Sequence, residues 1–185
     1  MPALARDIRA ERVACGLAYS AQNERFARAH RAKLIERAAR GLIGTPGKPG
    51  GRVSLSERLG DDMIDPATVG LDAAGVILKV GAALGLDLTE PDDWLLDRWL
   101  AANFTPAPQR QIAPGDVVGI RHRSQQFTDH VAVVTSSATL VHSYHARPFP
   151  RGPFGAQGAV TETHIAPLWL DRIVSVWTFP NCGAA

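Results

Sequence analysis

From Ala3 to Leu42 apolar and charged positions recur at helical spacing. The clearest stripe is Leu34, Ile35, Ala38, Ala39 and Leu42, at i, i+1, i+4, i+5 and i+8. The segment therefore reads as helix, in two pieces, stopped by Gly44 and Pro46. Gly44 to Gly60 is dense in Gly and Pro and reads as loop. A second helix is expected from Asp72, a good N-cap residue. Its stripe is Val76, Ile77, Val80 and Leu84, and Gly85 stands where a helix stop belongs. A third, short helix is expected over Asp92 to Ala102, with Asp92 or Asp93 favouring its N-terminus.

After Pro106 the period changes. Pro114-Gly115-Asp116 forms a turn into Val117 to Arg121. His130 to Thr135 and Leu140 to Tyr144 are β-rich, with Ser136 to Thr139 as a hairpin connection. Ala146 to Gly158 is a loop of Pro, Gly and aromatic residues, and Val160 to Ile165 and Ile173 to Phe179 supply two more strands. Helices followed by an antiparallel meander define the α+β class. N-terminal helices and the helix at Asp72 are expected to pack on an antiparallel sheet of about five strands.

Composition narrows the class. At 185 residues, 45% hydrophobic and 21% charged, the chain suits one compact domain. Its expected division is a helical extension over 1–30, a main domain over 31–180 and a tail over 181–185. No apolar run reaches the ~20 residues of a membrane helix, so no membrane insertion is expected. The first residues lack a signal-peptide core, and Cys15 and Cys182 make no disulfide framework. A product made in the cytoplasm, or assembled into a particle there, is expected.

Charge is uneven. Met1 to Arg40 carries nine Lys/Arg against four Asp/Glu, whereas Val53 to Leu100 carries three against ten. The N-terminal charges are interleaved with Ala, Leu and Ile, as on the solvated face of a helix. No aromatics alternate with the arginines as in a single-strand binding platform, so no direct nucleic-acid contact is expected.

Candidate chemistry is sparse. Gly41-Leu-Ile-Gly-Thr-Pro-Gly-Lys48-Pro is not a phosphate loop, because Leu42 and Pro49 occupy positions that need Gly and Ser/Thr. His142 and His145, three apart, leave opposite faces of a strand, and no His-Glu-x-x-His helix exists; neither metal nor cofactor is expected. His130 opens one strand and His142 lies in the next, where antiparallel pairing can bring two imidazoles together. A base oriented by a second polar group needs a nucleophile, ideally at a helix N-terminus that lowers a thiol pKa and holds an oxyanion. Gly70-Leu-Asp72-Ala73-Ala74-Gly75-Val76 offers that place, with alanine at the nucleophile position. Trp94, Trp99, Trp169 and Trp177 read as core or rim packing.

In this arrangement the sequence resembles the NlpC family of papain-like cell-wall cysteine peptidases. That family's Gly-x-Asp-Cys-Ser/Ala-Gly-Leu/Val motif is matched at 70–76 except for the cysteine, replaced by Ala73. Its Pro-Gly-Asp turn is matched by Pro114-Gly115-Asp116, its His-Val-Gly/Ala strand by His130-Val-Ala, and its hydrophobic-His-Ala/Ser segment by Val141-His142-Ser143. The separations, 57 residues from Ala73 to His130 and 12 from His130 to His142, also fit. The ending Ile173-Val-Ser-Val-Trp-Thr-Phe-Pro180 and the loop after His142 look most like the peptidases of tailed-phage tail tips and gene transfer agents.

The resemblance implies a papain-like fold in which positions 73, 130 and 142 converge in one groove. It implies a thiolate at 73, His130 as base and then acid, His142 orienting it, and the helix start at Asp72 to Ala74 holding the oxyanion. The implied substrate is the stem peptide of peptidoglycan, and the implied setting is the virion tail or particle tip, in contact with tail hub or tip proteins. The N-terminal helices and the loop from Ala146 to Gly158, with Phe149 and Phe154, would make those contacts. Two departures bear on activity. Ala73 has no nucleophile, a loss worth on the order of 10⁶ in rate. Gly47 follows Gly44-Thr-Pro46 where the family has Tyr, and an insertion, Arg52 to Thr68, intervenes. Because an engineer would exchange only the cysteine, the second departure favours loss in descent, with an engineered knockout of an active endopeptidase as the alternative.

Overall fold

Residues Pro2–Arg40 form one uninterrupted helix, α1, where two pieces were expected. Its one interior glycine, Gly16, costs about 1 kcal/mol relative to Ala, too little to break an alanine-rich helix. In this computed structural model the described residues are 2–61, 63–65, 68–91, 96–107, 112–121, 126–144 and 158–180, without the side chains of 2–19, 55, 144, 168 and 169. Residues 20–30 of α1 are exposed, whereas Ile35 and Ala39 are buried. The expected stripe is one position too wide, because Leu34 faces water at 44% exposure.

The expected loop from Gly44 to Gly60 contains structure. A short strand β1 (Arg52–Val53) leads into helix α2 (Leu55–Gly60). Ser54 and Glu57 form a reciprocal capping box at its start, a signal legible in Ser54-Leu-Ser-Glu57 but hidden among the glycines. Strand β2 (Gly70–Leu71) pairs antiparallel with β1, Arg52 opposite Leu71. The Arg52–Thr68 insertion therefore leaves and returns at one place, and Lys79 fastens it through Glu57 at 2.6 Å.

Helix α3 (Ala73–Ala83) follows directly, capped by Asp72, with Val76, Ile77 and Val80 fully buried. Leu84 is its C-cap, just before Gly85. Helix α4 is described over Leu96–Asn103; Trp94 and the expected helix start at Asp92 or Asp93 lie outside the described residues.

The main sheet has six strands rather than about five. Its order is β3 (Thr105–Pro106), β8 (Ile173–Thr178), β4 (Asp116–Ile120), β5 (His130–Ser136), β6 (Thr139–Tyr144) and β7 (Ala159–His164), antiparallel throughout. The extra strand is two residues long and contains a proline, which strand patterning does not register. A short helix, α5 (Pro167–Leu170), precedes β8. The turn into β4 is tight because Gly115, at φ +90°, would carry a Cβ 3.2 Å from the Cα of Ala32 in α1.

Both faces of the central strands are covered. Val131, Val133 and Val141 join α1 and α3 residues, Trp99, Phe104 and Phe179 in the larger core. Ala132, Val134 and Leu140 form the smaller one with Val118 and Ile120. Trp99 packs edge-on to Phe104 and donates to the carbonyl of Thr89 at 2.6 Å, a structural role. The loop from Ala146, with Phe149 and Phe154, lies outside the described residues up to Gly158, as do His122, His145 and Cys182.

Candidate active site

The start of α3 is heavily pinned. Asp72 Oδ1 accepts from the backbone N–H of Gly75 at 2.6 Å, and Oδ2 accepts from Gly50 at 3.1 Å. The guanidinium of Arg52 lies 2.7 Å from Oδ1. The preceding strand is held by Leu71 N donating to Pro46 O and Lys48 N donating to Leu71 O. Gly75 admits this closeness: a Cβ there would stand 2.4 Å from the carbonyl oxygen of Gly51. Ala73 and Ala74, first in the helix, are 8% and 4% exposed, and their N–H groups belong to the turn that has no intrahelical acceptors.

His130 and His142 meet in the main sheet, on β5 and β6. His130 Nε2 lies 2.9 Å from His142 Nδ1, with the rings perpendicular. Pairing of β5 with β6 runs from Ser136↔Thr139 to Val133↔Val141, and both histidines stand beyond its last pair. Contact at this open end is therefore made by the rings themselves. His142 is 2% exposed, and burial pushes its pKa down to about 4, so at neutral pH it is an uncharged ring. Its Nε2 lies 3.1 Å from the hydroxyl of Thr163 in β7.

Two observations tie the neighbours of the histidines, though not the rings themselves, to the helix start. Ser143, next to His142, donates its hydroxyl to the carbonyl of Leu71 at 2.6 Å, two residues before Ala73. Ala73 also shares the larger core with Val131 and Val141, the chain neighbours of His130 and His142. Sequence reasoning did not single out Thr163, Arg52 or Gly50. Thr163 becomes visible only through the β6–β7 register, which sets His142 opposite Thr161 and leaves Thr163 diagonal to it. Cys15 lies on α1, its side chain outside the described residues, and His164 is exposed at the end of β7.

No family model matches the chain, and no curated protein matches its sequence. Solved structures do match. The chain is similar to a lipoprotein-like NLP/P60 family protein of Staphylococcus aureus, at 15% identity and TM-score 0.53 over 83% of this chain and 42% of that one. An NlpC/P60 family protein of Bacillus cereus matches at 16% identity and TM-score 0.53, over 80% and 40%. The chain thus spans about two fifths of the length of these two structures. The P60 domain of an M. avium subspecies paratuberculosis antigen matches at 15% identity and TM-score 0.50, over 82% of this chain and 95% of that domain. The architecture is α+β with helices on an antiparallel sheet. It is the NlpC/P60 fold.

Proposed function

We propose that this chain is a peptidoglycan-peptidase fold retained without its nucleophile, serving as a structural component of a phage-like tail tip. There it contacts tail hub or tip proteins and contributes binding of the peptidoglycan stem peptide rather than its cleavage. The observation that carries the reading is a capped, pinned helix start that presents a methyl group at Ala73 and is tied through Leu71 and Ser143 to the strand bearing His142. A methyl group cannot form a covalent acyl intermediate.

A second reading, an active endopeptidase disabled at position 73, is favoured by the intact His130–His142 contact. With cysteine there, the thiolate attacks the peptide carbonyl. His130 takes the thiol proton and returns it to the leaving amine. The N–H groups of Ala74 and residue 73 hold the oxyanion.

Purified peptidoglycan decides between them. The parent protein is expected to release nothing under either reading. Release of stem-peptide fragments by Ala73→Cys, together with a cysteine codon at position 73 of the native gene, supports the second; a folded, silent variant and an alanine codon support the first. Detection of the chain in purified particle tips tests the tail assignment.

A further inference from the structure

We propose that Thr163 is a positioning residue of the histidine pair, its hydroxyl accepting the Nε2–H of His142 and thereby keeping Nδ1 of that ring as the acceptor for His130. The geometry is a chain of three groups: His130 Nε2 to His142 Nδ1 at 2.9 Å, then His142 Nε2 to Thr163 Oγ1 at 3.1 Å. His142 is buried and uncharged at neutral pH, so one of its nitrogens carries a proton and the other a lone pair.

Two arrangements satisfy these two contacts. In the first, His130 Nε2–H donates to His142 Nδ1, and His142 Nε2–H donates to Thr163. In the second every bond is reversed: Thr163 donates to Nε2, and His142 Nδ1–H donates to His130 Nε2. The first places both rings in the Nε2–H tautomer, the intrinsically favoured form of neutral histidine; the second places both in the disfavoured one. The first therefore prevails, provided a buried N–H finds an acceptor, since an unsatisfied one costs about 1–3 kcal/mol. Thr163 supplies that acceptor. Replacing it with an apolar isostere removes the reason for His142 to keep its proton on Nε2.

This deepens the proposed function and rests on it in one respect. The favoured arrangement puts the lone pair of a neutral His130 on Nδ1, which is then the nitrogen that would serve as base in the peptidase reading. The tautomer itself is measurable in the protein as it stands, without any nucleophile.

The test is ¹⁵N–¹H correlation spectroscopy of histidine-labelled protein at neutral pH, with assignments from His130→Gln and His142→Gln. His142 is expected to show a protonated Nε2 and a bare Nδ1. Thr163→Val is expected to lose that Nε2–H signal, and Thr163→Ser to retain it. A parent protein with the proton on Nδ1 of His142 overturns the proposal, as does a folded Thr163→Val variant with the parent pattern. If Thr163→Val does not fold, Thr163→Ala takes its place: loss of the Nε2–H signal in the folded variant is expected, and the parent pattern in it overturns the proposal. An inert Ala73→Cys protein with this pattern intact counts against the peptidase reading alone.

Discussion

The hydroxyl of Ser143 donates to the carbonyl of Leu71 at 2.6 Å, joining positions 72 residues apart in the chain. Ser143 is fully buried and follows His142; Leu71 is fully buried and lies one residue before the cap of α3. This bond couples the strand that places the histidine pair to the strand that aims the helix start. The small residue of the hydrophobic-His-Ala/Ser segment thus fits beneath β2 and satisfies its carbonyl.

Ser143→Ala is expected to destabilise the fold by about 0.5–1.5 kcal/mol, the net worth of one hydrogen bond, since the Leu71 carbonyl keeps its bond from Lys48 N. Urea unfolding measures the change. In an Ala73→Cys background the same substitution tests the coupling: if that variant cleaves stem peptides, removing the bond should lower its rate beyond the loss of folded protein.

His142 makes stability depend on pH in a defined window. The unfolded chain takes up a proton at the ordinary 6.5, whereas burial holds the folded group down to about 4. Between those values the unfolded state binds more protons, so folding strengthens as pH rises and weakens as it falls. At 1.36 kcal/mol per pKa unit, the contribution is about 3 kcal/mol, complete above the upper value and lost toward the lower. Unfolding free energies measured from neutral pH downward should show this loss. His142→Asn should start lower and lack that part of the slope. An equal slope in both proteins would count against a buried neutral ring.

The helix at Asp72 and the strands at His130 and Leu140 are legible in the sequence because each is local: a cap followed by a 3.6-residue stripe, or an alternating β-rich run. The candidate residues at 70–76, 130 and 142 are legible as motifs for the same reason. What the sequence hides depends on contacts between segments distant in the chain. Thr163 is one threonine among several until β7 is registered against β6. Arg52 falls in a segment that looks like insertion, yet its guanidinium rests on the cap of α3. The continuity of α1 escapes a pattern reading because Gly16 weakens a helix without ending it, and the capping box at Ser54 is masked by the breakers before it.

Glu162 anchors α1 to the sheet. Its carboxylate is held down to about 2, chiefly by its hydrogen bonds with Arg40, with Thr135 and Thr139 donating as well. A depressed carboxyl contributes stability above its ordinary 4.5 that is lost as pH falls toward 2. Glu162→Gln is expected to cost about 1 kcal/mol at neutral pH, the scale of a partly exposed ion-pair network. Carboxyl NMR titration should show Glu162 among the last acids to protonate. An ordinary titration would mean that Arg40 does not hold it.

The cap of α3 is the most direct place to ask whether the helix start is held as the contacts require. Gly75→Ala would bring a Cβ to 2.4 Å from the Gly51 carbonyl oxygen, which is backbone and cannot rotate aside. Overpacking of this kind costs about 1–3 kcal/mol. Gly60→Ala, at the end of α2, meets nothing within 4 Å, so it should be neutral or stabilise slightly through helix propensity. Asp72→Ala removes the acceptor for Gly75 and Gly50 and the partner of Arg52, with about 1–2 kcal/mol expected from the cap alone. Asp72→Asn keeps one acceptor oxygen for Gly75 but turns the other into an N–H donor facing Gly50 and loses the charge, so it should fall between Asp72→Ala and the parent. Urea unfolding of the four variants gives the order. If Gly75→Ala proves as stable as Gly60→Ala, the Gly51 carbonyl does not press on the first turn, and the loop cannot be what fixes residue 73.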